Sequence, residues 1–212
     1  MQQVLRNAAG LMIVTVLAGC SYSASPEISP AYNVYSSYDD KLSGRYFLFV
    51  QSDEFADRVK PTGYQCSAHS YPIDANEPFK KSVLKTIEQV VEHVELVETP
   101  KSASQIVGSG YAGQIRVNAE DLDGRIKFIP GFWSNTAETE VELVAGVKVD
   151  GPEGRLLGMT VVGDAKEEGD QGVACGGGAE ALATATEKAM KELLTQLGEK
   201  LSNSDRLRQT SN

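Results

Sequence analysis

Three cysteines, two histidines and a few acidic runs are the residues of this chain with chemistry to offer. Cys20 closes a run of small residues, Ala18 and Gly19, behind Leu17. Its thiol can accept a thioether-linked diacylglycerol, and small residues ahead of it let an extended backbone enter a narrow protease cleft. Ser67, His69 and Asp74 have the types of a nucleophile, a base and an orienting acid. They crowd into one short segment, with no GxSxG elbow around the serine, so a triad is not expected. His69 and His93 stand in neither a HExxH nor a paired CxxC spacing, which argues against zinc. The acidic run 164–170 lacks the alternating ligand spacing of an EF-hand loop and reads as a solvated loop. Cys175-Gly176-Gly177-Gly178 leads into a helix, yet no Lys-Ser/Thr follows to make a phosphate cradle. Small neighbours for a crossing disulfide are the simpler use of those glycines. No catalytic residue, metal or cofactor is expected, and the chain reads as a non-enzyme.

The position of Cys20 gives its chemistry an address. Residues 1–19 hold one cation, Arg6, no acid, and an apolar stretch over 8–17. That is the layout of an export signal. The stretch falls well short of the roughly 20 residues that cross a bilayer. Leu17-Ala18-Gly19-Cys20 resembles the lipobox of bacterial lipoproteins. The resemblance implies a signal peptide over 1–19, cleavage between Gly19 and Cys20, and an acylated Cys20 as the first mature residue. It also implies an outer-membrane destination, because Ser21 stands where inner-membrane retention is associated with aspartate. Each buried methylene of such an anchor contributes about 0.8 kcal/mol, and two or more chains hold firmly. An ordinary secretory leader with a chance cysteine is the alternative.

Charge fits that address. The chain has 212 residues and a formal charge of −9; setting aside Arg6 with the leader leaves −10. So acidic a body argues against nucleic acid as a partner and against adhesion to anionic lipid by charge. After lipidation of Cys20, Cys66 and Cys175 remain, in a compartment that the leader makes oxidising. A Cys66–Cys175 disulfide is expected, with two free thiols as the alternative. Closing a loop of about 100 residues stabilises by about 4–5 kcal/mol in the chain-entropy account.

These residues need elements to position them. Segment 20–43, rich in Ser, Tyr and Pro, reads as a flexible tether spanning roughly 25–30 Å. Alternatively, Tyr32, Tyr35 and Tyr38 dock part of it on the body. The globular domain is expected over 44–201. Residues 45–50 read as a buried strand, and 63–71 as a second one carrying Cys66. Asp74 or Asn76 can cap a helix with Phe79, Val83, Ile87, Val90, Val91 and Val94 on one face. That helix should stop before Pro100, and 94–97 can instead be strand. Residues 114–119 and 125–129 flank Asp121-Leu122-Asp123-Gly124, read as a hairpin turn. Val141, Leu143, Ala145, Val147 and Val149 share one parity, a strand with one wet face. Residues 150–154 turn the chain, 156–162 return, and 164–172 form a mobile acidic loop. A helix over 179–201 lines up Leu182, Ala185, Ala189, Leu193, Leu197 and Leu201, and 202–212 is left as a polar tail.

This order predicts an α+β, two-layer sandwich: a mostly antiparallel sheet of about 4–6 strands packed by two helices. The order resembles the periplasmic domains of envelope-assembly lipoproteins, such as those of lipopolysaccharide transport and curli secretion. That resemblance implies a partner-binding or assembly role facing the periplasm, with the membrane reached through lipid on Cys20 and an envelope protein as partner. A carrier of an apolar ligand, held between helices and sheet, is the rival, and a hydrolase built around His69 a third. The bend 129–133 holds the only tryptophan; Phe132 and Trp133 are candidate contacts for a partner or the membrane, unless they fold back to seal the core.

Overall fold

A computed structural model describes residues 20–210. The leader, with Gly19 and its cleavage site, lies outside the described residues. The elements are β1 (Leu42–Gln51), β2 (Ala56–Val59), β3 (Pro61–Thr62), β4 (Tyr71–Asp74), α1 (Asn76–Val90), β5 (Val91–Leu96), α2 (Ala103–Ser109), β6 (Gly113–Ile129), β7 (Thr136–Gly151), β8 (Gly154–Asp170), α3 (Gly177–Ser202) and α4 (Asp205–Thr210). The main sheet runs β5-β1-β6-β7-β8, with β3 beside the far half of β6, and β2 pairs with β4 in a second, small sheet. The fold is the expected α+β sandwich. Its sheet is mixed: β1 is parallel to both β5 and β6, while the long ladders β6–β7 and β7–β8 are antiparallel.

The core lies between α1, α3 and one sheet face. The alternation in β7 performs as its parity predicts: Val141, Leu143, Ala145, Val147 and Val149 are all buried. The α3 stripe Leu182, Ala185, Ala189, Leu193 and Leu197 meets them from above, every member fully buried. Gly163 of β8 lets the two layers touch, since a Cβ there would lie 2.0 Å from the Ala189 carbonyl oxygen. The opposite sheet face is largely open, except where α2 covers β1: Ile106, Val97, Phe47 and Tyr111 form a second, small core.

Four expectations need correction. Asp121-Leu122-Asp123-Gly124 is not a turn but the middle of one 17-residue strand, β6. Buried positions switch from Ile115, Val117 and Ala119 to Leu122, Ile126 and Phe128, and the pairing register slips between Ala119 and Asp121. A β-bulge at Glu120 inserts one residue and so flips the parity. Gly146 makes room for it, because a Cβ there would meet the Glu120 carboxylate at 2.1 Å. The acidic stretch 164–170 is not a loop but the end of β8, paired residue by residue with 136–142. Residues 63–70 form no strand, and Cys66 sits in a turn with φ 57°. The C-terminal tail is not simply polar coil: α4 occupies it, with Leu207 fully buried.

Segment 20–43 is not a free tether either. Ser21 bridges Ser70 and Ala24 bridges Ile73, in parallel with β4. Ala24, Pro26, Pro30 and Ala31 are buried. Further on, the Ser29 N–H donates to Ser82 Oγ at 2.8 Å and the Ala31 N–H to Thr86 Oγ1 at 3.0 Å, both hydroxyls on α1. Prolines that forbid helix and strand still bury apolar surface and have no N–H that needs an acceptor, so they suit a strap laid over a domain. Of the three tyrosines Tyr38 docks: its hydroxyl donates to Asp205 at 2.7 Å and the Arg208 guanidinium lies 3.8 Å over its ring, while Tyr32 and Tyr35 are exposed. Helix α1 starts without a side-chain cap on Ala75, while Asp74 accepts the Asn76 N–H from one residue outside. It gives way to β5 at Val91, so the strand alternative for 94–97 is the one adopted.

Candidate functional site

Of the residues singled out by type, the three cysteines and His69 gather in one region. Strap residue Tyr22 lies against β4 there, its ring stacked on Tyr71 with centroids 6.2 Å apart and tilted 5.5 Å from His69. Cys20, one residue from that bridge, is exposed, and its carbonyl accepts the Ser70 N–H at 3.3 Å. The Cys66–Cys175 disulfide is present, joining the turn before β4 to the entry of α3 with Cα atoms 6.0 Å apart. Tyr71 braces the same junction by donating to the Cys175 carbonyl at 2.8 Å. Burial, with Tyr22 beside it, pushes the Tyr71 phenol up to about 12. Cys66, Ala174 and Cys175 all have positive φ, a conformation that non-glycine residues hold only when their surroundings enforce it. The bridge supplies that enforcement.

The glycines before α3 serve packing. A Cβ on Gly178 would meet Ile126 at 2.6 Å and Phe128 at 2.7 Å, and one on Gly177 would strike the Asp170 carbonyl at 2.1 Å. They bring α3 down onto the sheet.

Ser67, His69 and Asp74 are not brought together. Asp74 lies at the other end of β4 and spends its carboxylate on the Asn76 N–H. His69 donates its backbone N–H to the Cys66 carbonyl, and its Nδ1 is buried without a partner. His93 lies on β5, and no metal-holding cluster occurs among the described residues. On the open face of the long strands, a shallow hollow of about 410 Å³ is lined by Arg125, Lys127, Glu138, Glu140, Lys166 and Glu168. Lys166 pairs there with Glu140 at 3.1 Å. Across the sheet, Arg45 donates to the Tyr111 hydroxyl at 2.8 Å, and that hydroxyl donates to Glu95. The Glu95 bond raises the Tyr111 pKa, and the trio fastens β1, β5 and the entry to β6. The groove between helices and sheet that a carrier needs is filled by the α3 stripe.

Phe132 and Trp133 cap the β6–β7 hairpin and do not seal the core. They are 90 % and 93 % exposed, packed edge to face on each other at 4.9 Å. Two more exposed apolar residues accompany them, Tyr64 at 99 % and Val173 at 93 %. Neither carries a periodic signal in the sequence: Tyr64 stands between Gly63 and Gln65, and Val173 between Gly172 and Ala174. No helix among the described residues is long and apolar enough to cross a membrane.

No family model matches the chain, and no curated relative matches it. Among solved structures it is similar to a Xanthomonas campestris protein of the DUF330 family, at 13 % identity and TM-score 0.43, over 87 % of this chain and 93 % of that one. A neuraminyllactose-binding hemagglutinin homolog from Helicobacter pylori matches at 10 % identity and TM-score 0.48, over 87 % and 96 %. A minor lipoprotein from Acinetobacter baumannii matches at 6 % identity and TM-score 0.41, over 77 % and 93 %. None of the three assigns a role to this chain.

Proposed function

We propose that this chain is a lipid-anchored protein of the bacterial outer membrane, facing the periplasm, and that its α+β domain acts without catalysis as a partner-binding or assembly accessory. The supporting observation is Cys20 itself. It closes a lipobox-like run, it is exposed, and the residues after it are bonded onto the body rather than left as a leash. An acyl anchor on such a residue holds the whole domain at a fixed place on a membrane. The disulfide fits an oxidising compartment. The acidic body has no charge-based grip of its own on anionic lipid, which leaves anchoring to the acyl chains. Mass spectrometry of the mature N-terminal peptide tests the reading. A diacylglyceryl adduct on Cys20, with loss from the membrane fraction in Cys20→Ser, is expected; an unmodified Cys20 overturns it. Affinity capture with the anchor intact then identifies the partner.

A further inference from the structure

The four apolar residues exposed by 90 % or more, Tyr64, Phe132, Trp133 and Val173, share one pole of the molecule with the disulfide and Cys20. The β6–β7 tip carries Phe132 and Trp133. Beside it, the Gln171 N–H donates to the Asn135 carbonyl at 2.9 Å, which brings in the loop bearing Val173. On the other flank Pro61 and Thr62 run parallel to Ile126 and Lys127, so the chain reaches Tyr64 level with the end of β6. Tyr64 leads into the Cys66 turn, that turn into Ser70, and Ser70 is bonded to Cys20.

The same pole is stripped of charge. The segments that build it, 20–26, 61–73, 128–137 and 171–179, contain no Asp, Glu, Lys or Arg, in a chain where those residues make up 23 %. The opposite end is charged: around the β7–β8 turn stand Asp150, Glu153 and Arg155, with Asp150 paired to both Arg116 and Arg155. Uncharged loops with exposed aromatic residues suit the water–hydrocarbon boundary: Trp and Tyr bury apolar area while keeping a polar edge wet, and Phe adds apolar area alone. A protein partner that simply needed a sticky patch gives no reason for the patch to surround the N-terminal cysteine.

We propose that this pole is a membrane-docking surface: Tyr64, Phe132, Trp133 and Val173 rest in the interfacial layer of the bilayer that the acyl chains on Cys20 enter. The inference rests on the lipid-anchor reading and assigns Phe132 and Trp133 to lipid, not to a protein partner. The strap makes it geometrically unavoidable that the anchor and the rim meet one surface, since Cys20 has no slack from which to hang the domain at a distance. The carboxylates lie outside the segments that build this pole, Asp170 at their very edge, where it accepts the Gly172 N–H at 2.7 Å.

Trp133 is the only tryptophan, so its emission reports on the rim alone. The acylated full-length protein is reconstituted in vesicles of phosphatidylethanolamine and phosphatidylglycerol. A blue shift is expected, with about twofold quenching by lipids brominated high on the acyl chain. In Phe132→Asp/Val173→Asp, both at exposed positions that the fold does not use, the quenching is expected to be lost while the protein stays vesicle-bound. Water-exposed, unquenched Trp133 in acylated, vesicle-bound wild type overturns the docking surface and leaves the anchor standing. Protection of Trp133 by an added envelope extract but not by lipid also overturns it, in favour of a protein partner. An unacylated Cys20, read from the same sample by mass, overturns the anchor reading and this orientation with it.

Discussion

Tyr71 shows how much one side chain can carry at this pole. Its hydroxyl satisfies the Cys175 carbonyl, and its ring packs with Tyr22 and Phe128. Because the folded phenol is raised above its ordinary value of 10 to about 12, the stability gained by keeping it neutral is complete below pH 10. That stability is lost as pH climbs through about 12. Tyr71→Phe is expected to lower stability by about 1 kcal/mol at neutral pH, since a buried carbonyl loses its donor. Urea unfolding of the variant between pH 9 and 12 should show a flatter loss than wild type. Two glycines make a sharper contrast. Gly163→Ala places a methyl against the α3 backbone, which cannot swing aside, and is expected to cost about 3 kcal/mol. Gly146→Ala meets only the flexible Glu120 carboxylate and should change the stability read from urea unfolding by less than about 0.5 kcal/mol. The chemistry of Cys66 and Cys175 was legible from counting and compartment. The separation of Asp74 from Ser67 and His69 follows from the extended strand β4 that lies between them. The exposed Tyr64 and Val173 were not legible, because nothing in one residue's neighbours in sequence says which loop it will stand beside.

Among the elements, periodicity spoke most clearly where one face is buried. The α3 stripe and the β7 alternation translate into the core residue for residue. Reading failed where a rule was broken locally. The parity switch across Glu120 is itself the signature of a bulge, but Asp121-Leu122-Asp123-Gly124 has the composition of a turn and masked it. The acidic end of β8 was misjudged because its strand character comes from cross-strand pairing with β7 rather than from its own propensities. The strap had a signal of another kind. Ser82 and Thr86 lie one turn apart on the buried side of α1, and hidden hydroxyls need partners. Ser82→Ala with Thr86→Ala removes the acceptors for the Ser29 and Ala31 amides. Each buried N–H left unpaired costs about 1–3 kcal/mol. Hydrogen exchange at those two amides and proteolysis within 25–41 are expected to accelerate well before the global unfolding midpoint falls in proportion.

Taken whole, the molecule has two unlike ends. Its central antiparallel strand, the 16 residues of β7, spans about 50 Å from the uncharged tip to the charged turn. Docked by its uncharged pole, it should form a layer about 40–50 Å thick on a supported bilayer, which neutron reflectometry can measure. A domain swinging on a leash would give a thicker and more diffuse profile. The strap also sets an order of events in biogenesis. An enzyme that severs the leader must grip an extended backbone on both sides of the cut, yet in the finished molecule Ser21 and Ala24 are already zipped to β4. On the lipid-anchor reading proposed above, maturation comes first and final folding second: the exported polypeptide keeps its leading edge loose until acyl groups are on, and only afterwards lays it down.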